Sequence, residues 1–467
     1  MAERPYPPRR RRRRRRRVNY TAIIFWLVVV LIVVGLVAVL LHVIGSKPND
    51  ETTGPAPSTE ATTPSSEVTE PTTEPTTEPT IPPVTQTGSA TIGATGDMLM
   101  HMPCVEPCLQ SDGTYDFTPF FARLEKYVQA VDYAVTNLET TLAGLDGGYI
   151  YQGFPSFNCP DEIVSGLKEV GFDMMLTANN HTYDTQTTGF FRTQQVIKEN
   201  GMDHIGTKPT AEDDDYLIKE IDGIRVGMVC YTYSNLNGDK VALNGGAPLP
   251  DNVSPLINTF LPSDVQGFSD NLEQDIADMR ADGAEAIVLY IHWGVEYQLK
   301  QNREQVALAQ AACDLGVDVI VGGHPHVIQP MDLLTSTTDD SHKTVCLYST
   351  GNAMSNQRLG NLSSVKTAHT EDGILFNFSF AKYSDGTVRL ENVELLPLWI
   401  NMYKKSNGDR FYDVLPLDKT VEDWKSELNL TDTTLAKAED SYERTMEIVG
   451  EGLQEVQAYL NSLPEIE

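Results

Sequence analysis

Val319-Ile-Val-Gly-Gly-His-Pro-His326 is a β-branched run that ends in two glycines and two imidazoles. A short apolar segment rich in Val and Ile reads as a buried strand, which puts its ligand-capable residues just past its carboxyl end. The same grammar recurs upstream. Ile287-Val-Leu-Tyr-Ile leads into His292, Leu176-Thr-Ala-Asn into Asn180 and His181, Val135-Thr-Asn-Leu into Glu139, and Ile92-Gly-Ala-Thr-Gly into Asp97. Each position alone has a duller explanation. An Asp after a strand commonly caps a helix or forms a turn, Asn179 and Asn180 suit a turn, and a lone His is more often a hydrogen-bonded structural residue. Five strand ends with a carboxylate, an amide or an imidazole are harder to dismiss, because the carboxyl ends of neighbouring parallel strands open on one crevice. His-Pro-His adds two imidazoles spaced to address adjacent metals.

Working outward, strand-like runs at Thr91–Thr95, Tyr133–Asn137, Phe172–Thr177, Ile224–Tyr231, Ala286–Ile291, Val317–Val321 and Val345–Tyr348 alternate with helical patterns. The helices are expected over Pro119–Val131, Pro160–Val170, Gly189–Asn200, Asn271–Ala281 and Arg303–Leu315. This alternation predicts an α/β fold with a mainly parallel sheet and helices packed outside it. Ile374–Ala381 and Val388–Leu395 read as an antiparallel addition. The expected organisation is a basic cytoplasmic tail (1–20), a transmembrane helix (21–44), a stalk (45–88), the main α/β domain (89–400) and an acidic helical extension (401–467). Helices are expected in that extension near Val421–Leu428 and Thr433–Leu463.

Charge is polarised along the chain. The formal net charge is −30, yet ten of the 35 basic residues are arginines within the first 17 positions. The remainder is strongly acidic, which repels nucleic acid and argues against it as a partner. Ala22 to Leu41 contains no charged residue, and twenty residues at about 1.5 Å each span a bilayer core of about 30 Å. A cleaved signal peptide is the competing reading, but its apolar region is shorter and a small-x-small site is missing here. The arginine run before the span favours an N-terminus held in the cytoplasm and a main domain outside the cell membrane. The Thr/Pro/Glu repeats after it cannot bury enough apolar surface to order themselves and read as an extended spacer. Six cysteines are too few for a scaffold. One bridge is expected among Cys104, Cys108 and Cys159, with a zinc cluster of His101, Cys104 and Cys108 as the weaker alternative, while Cys230, Cys313 and Cys346 read as buried thiols.

Gly96-Asp97, Asn137-Leu-Glu139, Ala178-Asn-Asn-His181-x-x-Asp184, His292-Trp-Gly-x-Glu296-Tyr297, Gly323-His-Pro-His326-Val-x-Gln329 and Tyr348-Ser-x-Gly-Asn352 together resemble the ordered motifs of the CapA family of poly-γ-glutamate capsule synthesis. That family is similar to calcineurin-like metallophosphoesterases. The resemblance covers Thr91 to Asn352 and implies a β-sandwich flanked by helices, with two divalent metal ions. It implies that Asp97 and His326 hold one metal, that Asn180, His292 and His324 hold the other, and that Glu139 bridges them. His181 is implied as general acid or transition-state donor, oriented by Asp184. Mixed nitrogen and oxygen donors suit Mn, Fe or Zn better than Ca. Two departures weaken the first site. The phosphoesterase pattern expects His where Leu99 stands, with His101 as the candidate substitute, and the bridging position carries Glu rather than Asp.

Two functions follow as expectations. One is hydrolysis of a phosphoester or related anionic linkage in capsule or cell-envelope polymer synthesis, acting on an anionic polymer or phosphate-containing substrate. The other is a non-catalytic role in the polymer synthesis and export machinery, beside polymer-synthase partners in the membrane, with metals that stabilise the fold.

Overall fold

The β-branched runs form strands and the amphipathic runs between them form helices, in the predicted chain order. The computed structural model describes residues 83–361, 364–406 and 408–464. The basic tail, the apolar span 22–41 and the stalk up to residue 82 lie outside the described residues; among those described, no helix is long and apolar enough to cross a membrane. In chain order the strands begin with β1 (Gln86–Met98), β2 (Tyr133–Leu138), β3 (Met174–Leu176), β4 (Asp203–Ile205), β5 (Tyr216–Ile221), β6 (Ile224–Tyr233), β7 (Asn235–Asn237), β8 (Lys240–Ala242) and β9 (Thr259–Phe260). They continue with β10 (Ala286–His292), β11 (Val319–Gly323), β12 (Ile328–Thr335), β13 (Lys343–Thr350), β14 (Asn352–Met354), β15 (Asp372–Tyr383), β16 (Val388–Lys404) and β17 (Arg410–Pro416).

Instead of one mainly parallel sheet there are two mixed ones. The first has the order β17-β16-β15-β1-β2-β3-β4, with β14 beside β1. It is parallel from β1 to β4 and antiparallel from β1 out to β17. The second has the order β12-β13-β11-β10-β6-β5, with β9 beside β6. Its centre is parallel and both its edges are antiparallel. The split comes between β4, the edge of the first sheet, and β5, the edge of the second. Asp222-Gly223, where both residues have positive φ (43° and 78°), is the two-residue Asp-Gly turn that joins antiparallel strands. It pairs Ile221 with Ile224, so β5 is bound to β6 in the second sheet and does not extend the first.

Period-two patterning then decides which faces meet. Ile92 and Ala94 of β1, Val226 and Met228 of β6, Val288 and Tyr290 of β10, and Phe376 and Phe378 of β15 fill one core between the sheets. Alternate residues point outward and are covered by helices. Leu138 and Met175 pack with Ile163 and Leu167 of the helix Glu162–Val170. Leu289 and Ile291 pack with Leu272 and Leu308, from the helices Val265–Ala281 and Arg303–Asp314. The result is a two-sheet sandwich flanked by helices.

The 401–467 segment is not helical throughout. Its first residues finish β16, β17 follows, and the helices are Val421–Glu427 and Asp432–Ser462. Val449, Val456 and Leu460 of the long helix enter the core between the sheets, so the helix closes the sandwich along β12 and β16. Gly452 permits this approach, since a Cβ there would lie 1.8 Å from the Met331 carbonyl oxygen. A buried clamp holds the same helix, with Arg444 Nη2 2.7 Å and Ser441 Oγ 2.6 Å from Asp372 Oδ1. The expected disulfide is not formed. Among the described residues all six cysteines are free and buried, and Cys108 Sγ donates to the Cys104 carbonyl.

Candidate metal centre

The parallel strands of both sheets end at the same place. Asp97 is paired with Asn137 across β1 and β2, and His292 is paired with Gly323 across β10 and β11. The two sheets therefore deliver their terminal residues to a common crevice. Gly323 has no side chain for a local reason, because a Cβ there would sit 2.9 Å from Asp97 Oδ1. His324 and His326 flank Pro325 with φ of 94° and 55°, a region non-glycine residues seldom occupy, and such strain gathers at functional sites. The His-Pro-His loop is held open by Tyr297 N, which donates to the Pro325 carbonyl at 2.8 Å.

Glu139 is at the centre. His292 Nε2 and His326 Nε2 each lie 3.7 Å from its Oε1, and His181 Nε2 lies 4.0 Å away. Two groups of buried ligand atoms share this carboxylate: Glu139 with His292 and His324, and Glu139 with Asp97 and His326. Asn180 Oδ1 joins the first group, 2.8 Å from His292 Nε2. The structure thus brings together all six residues singled out as metal-capable, with His181 beside them. His181 Nδ1 is 2.7 Å from Asp184 Oδ2, which fixes the ring and turns Nε2 toward Glu139.

Electrostatics give these atoms a common purpose. Burial first, and the Asp97 charge second, push the Glu139 carboxyl well above the usual carboxylate range. Burial, with neighbouring imidazoles adding to it, pushes His292 and His324 well below the usual imidazole range. Among the described residues neither Glu139 oxygen nor His324 Nδ1 has a hydrogen-bond partner. A buried carboxylate with nothing to offset its charge is costly. Neutral imidazoles gathered round such a carboxylate are the donors a divalent cation takes, so the residues present fit the metal ions that the sequence implies.

A second layer orients this set. Asn137 Nδ2 donates to Asp97 Oδ1 at 2.8 Å, and Asn179 Nδ2 donates to Asn137 Oδ1 at 3.1 Å. His326 Nδ1 lies 3.1 Å from Asp97 Oδ2 and 3.2 Å from Asn352 Oδ1. Asn352 itself is fully buried and anchored on the His326 and Thr370 carbonyls. Tyr233 went unrecognised in the sequence. Its ring lies parallel to that of His292 at 6.3 Å and tilts over His324 at 4.6 Å. The signal was the end of β6, a further strand end in the same crevice.

Other residues turn out to be structural. Leu99 is buried and contributes no ligand. His101 joins neither group among the described residues; its Nδ1 lies 3.1 Å from the Leu99 carbonyl, and burial pushes its pKa down to about 4. It forms no metal cluster with Cys104 and Cys108 among the described residues. Trp293 belongs to the core, stacked on Tyr348 with Nε1 donating to the Tyr348 carbonyl. Glu296 is exposed.

Comparison with known proteins agrees with this reading of the motifs. Residues 91–357 match the family described as bacterial capsule synthesis protein PGA_cap. The capsule biosynthesis protein CapA of Bacillus anthracis is 27% identical over 271 residues, 57% of this chain and 60% of that protein. The PGA biosynthesis protein CapA of Bacillus subtilis is 26% identical over 273 residues, 58% of this chain and 63% of that one. The chain therefore spans about three fifths of the length of these curated relatives. Among solved structures, sulfate thiohydrolase SoxB of Thermus thermophilus aligns at 14% identity over 77% of this chain and 60% of its own, with a TM-score of 0.38. A purple acid phosphatase from yellow lupin aligns at 10% over 71% and 54%, with a TM-score of 0.27. By the match over more than half its length, this chain belongs to the PGA_cap family of bacterial capsule synthesis proteins.

Proposed function

We propose that this protein is a metal-dependent hydrolase of a phosphoester or related anionic linkage, acting in capsule, poly-γ-glutamate or other envelope-polymer synthesis. It is anchored by the span 22–41 with its main domain outside the cell membrane, beside the polymer-synthase proteins of that membrane. The observation that carries the catalytic reading is Glu139, with both oxygens unpartnered and three imidazole Nε2 atoms within 4.0 Å of its Oε1.

Asp97, Glu139 and His326 would hold one divalent ion, and Glu139, Asn180, His292 and His324 the other. Bound there, the pair would supply Lewis acidity and a water of lowered pKa. The remaining work falls to the chain's own groups. Asp184 accepts the Nδ1 proton of His181, so Nε2 faces the crevice, where a proton carried on it can pass to the departing oxygen. The Tyr233 ring backs His292 and His324, and burial with the charges of Glu139 and Glu296 keeps its phenol protonated. It is then a neutral hydrogen-bond donor at the mouth of the site.

The test is turnover of a generic phosphodiester and phosphomonoester by the full-length chain with Mn, measured beside a His181→Ala variant. A loss of about 10²–10⁴-fold is expected on removing a general acid. Equal rates in the two proteins would remove His181 from catalysis. Polymer production at a normal level in cells that carry only the variant would favour a non-catalytic, fold-stabilising role for the metals.

A further inference from the structure

Beside Asn180 and Asp184 lies a cavity of about 410 Å³, within the range of roughly 300–1,000 Å³ that accommodates small organic ligands. Its walls are the turn Phe154-Pro155-Ser156 and the loop 243–250 that follows the β7–β8 hairpin. Neither segment has a part in holding metal.

The cavity lies on the His181 side of the centre. Asp184 Oδ2, which takes the Nδ1 proton of His181, also accepts from Phe157 N at 2.6 Å. The Phe157 ring stands edge-on to His181 at 4.7 Å. The turn that forms the wall is therefore built onto the support of the general acid. Asn180 borders both places, with its Oδ1 2.8 Å from His292 Nε2 and its side chain in the cavity lining, so a group released from the centre has this cavity beside it.

The lining states what that group can be. Among the described residues no Lys, Arg or His lines the cavity. Its one carboxylate among the described residues is Asp184, already committed to His181 and Phe157. The whole chain carries a net charge of −30. A carboxylate placed here would give up its water, meet no cationic side chain in the lining and lie beside Asp184, which is unfavourable. The surfaces on offer are of two other kinds. Phe154 is 74% exposed at the rim and, with Tyr183 and Pro248, presents flat apolar faces. Asn180, Asn244 and Ser156 present neutral donors and acceptors, and Asn180 Nδ2 donates to Asn244 Oδ1 at 3.3 Å. Flat apolar faces edged by amides and a hydroxyl complement a ring with C–H faces and an equator of hydroxyl groups.

The geometry points to an uncharged sugar as the leaving group, seated against Phe154 while its anionic linkage sits at Glu139 and the surrounding imidazoles. The catalytic part rests on the hydrolase reading above; the cavity's preference for a neutral sugar over an acidic chain does not. The experiment is direct binding to the full-length protein, in a detergent without a sugar headgroup and without added metal. The probes are a neutral N-acetylglucosamine disaccharide and a γ-linked glutamate pentapeptide. The disaccharide is expected to bind, and Phe154→Ala to weaken it at least fivefold. That side chain is mostly exposed, so the substitution does not endanger folding. His181→Ala is expected to keep the binding. Binding of the glutamate peptide in place of the disaccharide, or disaccharide binding indifferent to Phe154→Ala, would overturn the assignment. Absent phosphoester turnover with disaccharide binding and its Phe154 dependence intact would instead remove the hydrolase reading and leave the cavity's ligand as assigned.

Discussion

On one side of Glu139, His324 Nδ1 is buried without a hydrogen-bond partner among the described residues, and both His292 and His324 are held neutral by burial. On the other side, Asp97 accepts from Asn137 Nδ2 and from His324 N, and His326 Nδ1 lies against Asp97 and Asn352. On the first side His292 Nε2 already meets Asn180 Oδ1 at 2.8 Å, so the idle donor there is His324 Nδ1, whereas Asp97 and His326 Nδ1 on the second side are both employed. An idle buried donor gains the full value of a cation, whereas an employed one must surrender a hydrogen bond first. On the two-ion reading proposed above, the half with that idle donor, built on His292, His324 and Asn180, is expected to be the tighter, and the half built on Asp97 and His326 the weaker. The absence of a ligand at Leu99 adds to that asymmetry.

The largest effect is expected on the tight side. His292→Ala and His324→Ala should each abolish its metal and lower phosphoester turnover by about 10³-fold, matching several kcal/mol of charge stabilisation. Metal content by elemental analysis should fall to near zero, since the weaker half does not hold on its own. Asp97→Asn should cost less, roughly 10²-fold, and leave one metal per chain. A variant at Asp97 that empties both positions would reverse the ranking of the halves.

Glu139 gives a test of sign. In metal-free protein its carboxyl binds a proton more tightly folded than unfolded, so its contribution to stability is present at low pH and is lost as pH rises above its ordinary 4.5. His292 and His324 act oppositely, losing stability as pH falls below 6.5, and are neutral in both states above it. Between pH 6.5 and 8 metal-free Glu139→Gln should therefore be the more stable protein, by about 2 kcal/mol, the scale of an unsatisfied buried group. With Mn bound the order should invert. Thermal melts with and without chelator read both, and an unchanged order would mean that Glu139 faces no cation.

The smallest effect belongs to Tyr233. Tyr233→Phe keeps the ring against both imidazoles and removes the hydroxyl, so metal content should hold while turnover drops about 10-fold, the value of a hydrogen bond to a charged group. A loss of metal instead would place the phenol among the supports of the tight half.

How far these features can be read from residues alone depends on patterning. Asp97, Glu139, Asn180, His292, His324 and His326 were visible because each closely follows a short, mostly apolar, strand-like run. The arrangement of strands into two sheets was not, since the Asp222-Gly223 turn announces only that β5 pairs with β6. Ile328–Thr335 did not read as a strand because Pro330 interrupts it, yet β12 is an edge strand, where a missing N–H is tolerated. Arg410–Pro416 was hidden in acidic sequence, although Tyr412 and Val414 are fully buried. Tyr233 escaped because its strand reads as ending at Tyr231, and an aromatic residue at a strand end suggests packing before chemistry.

The strand that carries Asp97 has β15 as its other neighbour, and β15 lies wholly beyond residue 357, where the family match stops. A fragment cut to the matched span would keep every candidate ligand but leave β1 with a row of unpaired amides and carbonyls along the flank it shares with β15, and bare the apolar interior, Ile92, Ala94 and Met331 among it, that β15 and Asp432–Ser462 now cover. Such a piece is a template for cross-chain strand pairing, so shortened forms intended for biochemistry should run through the last helix.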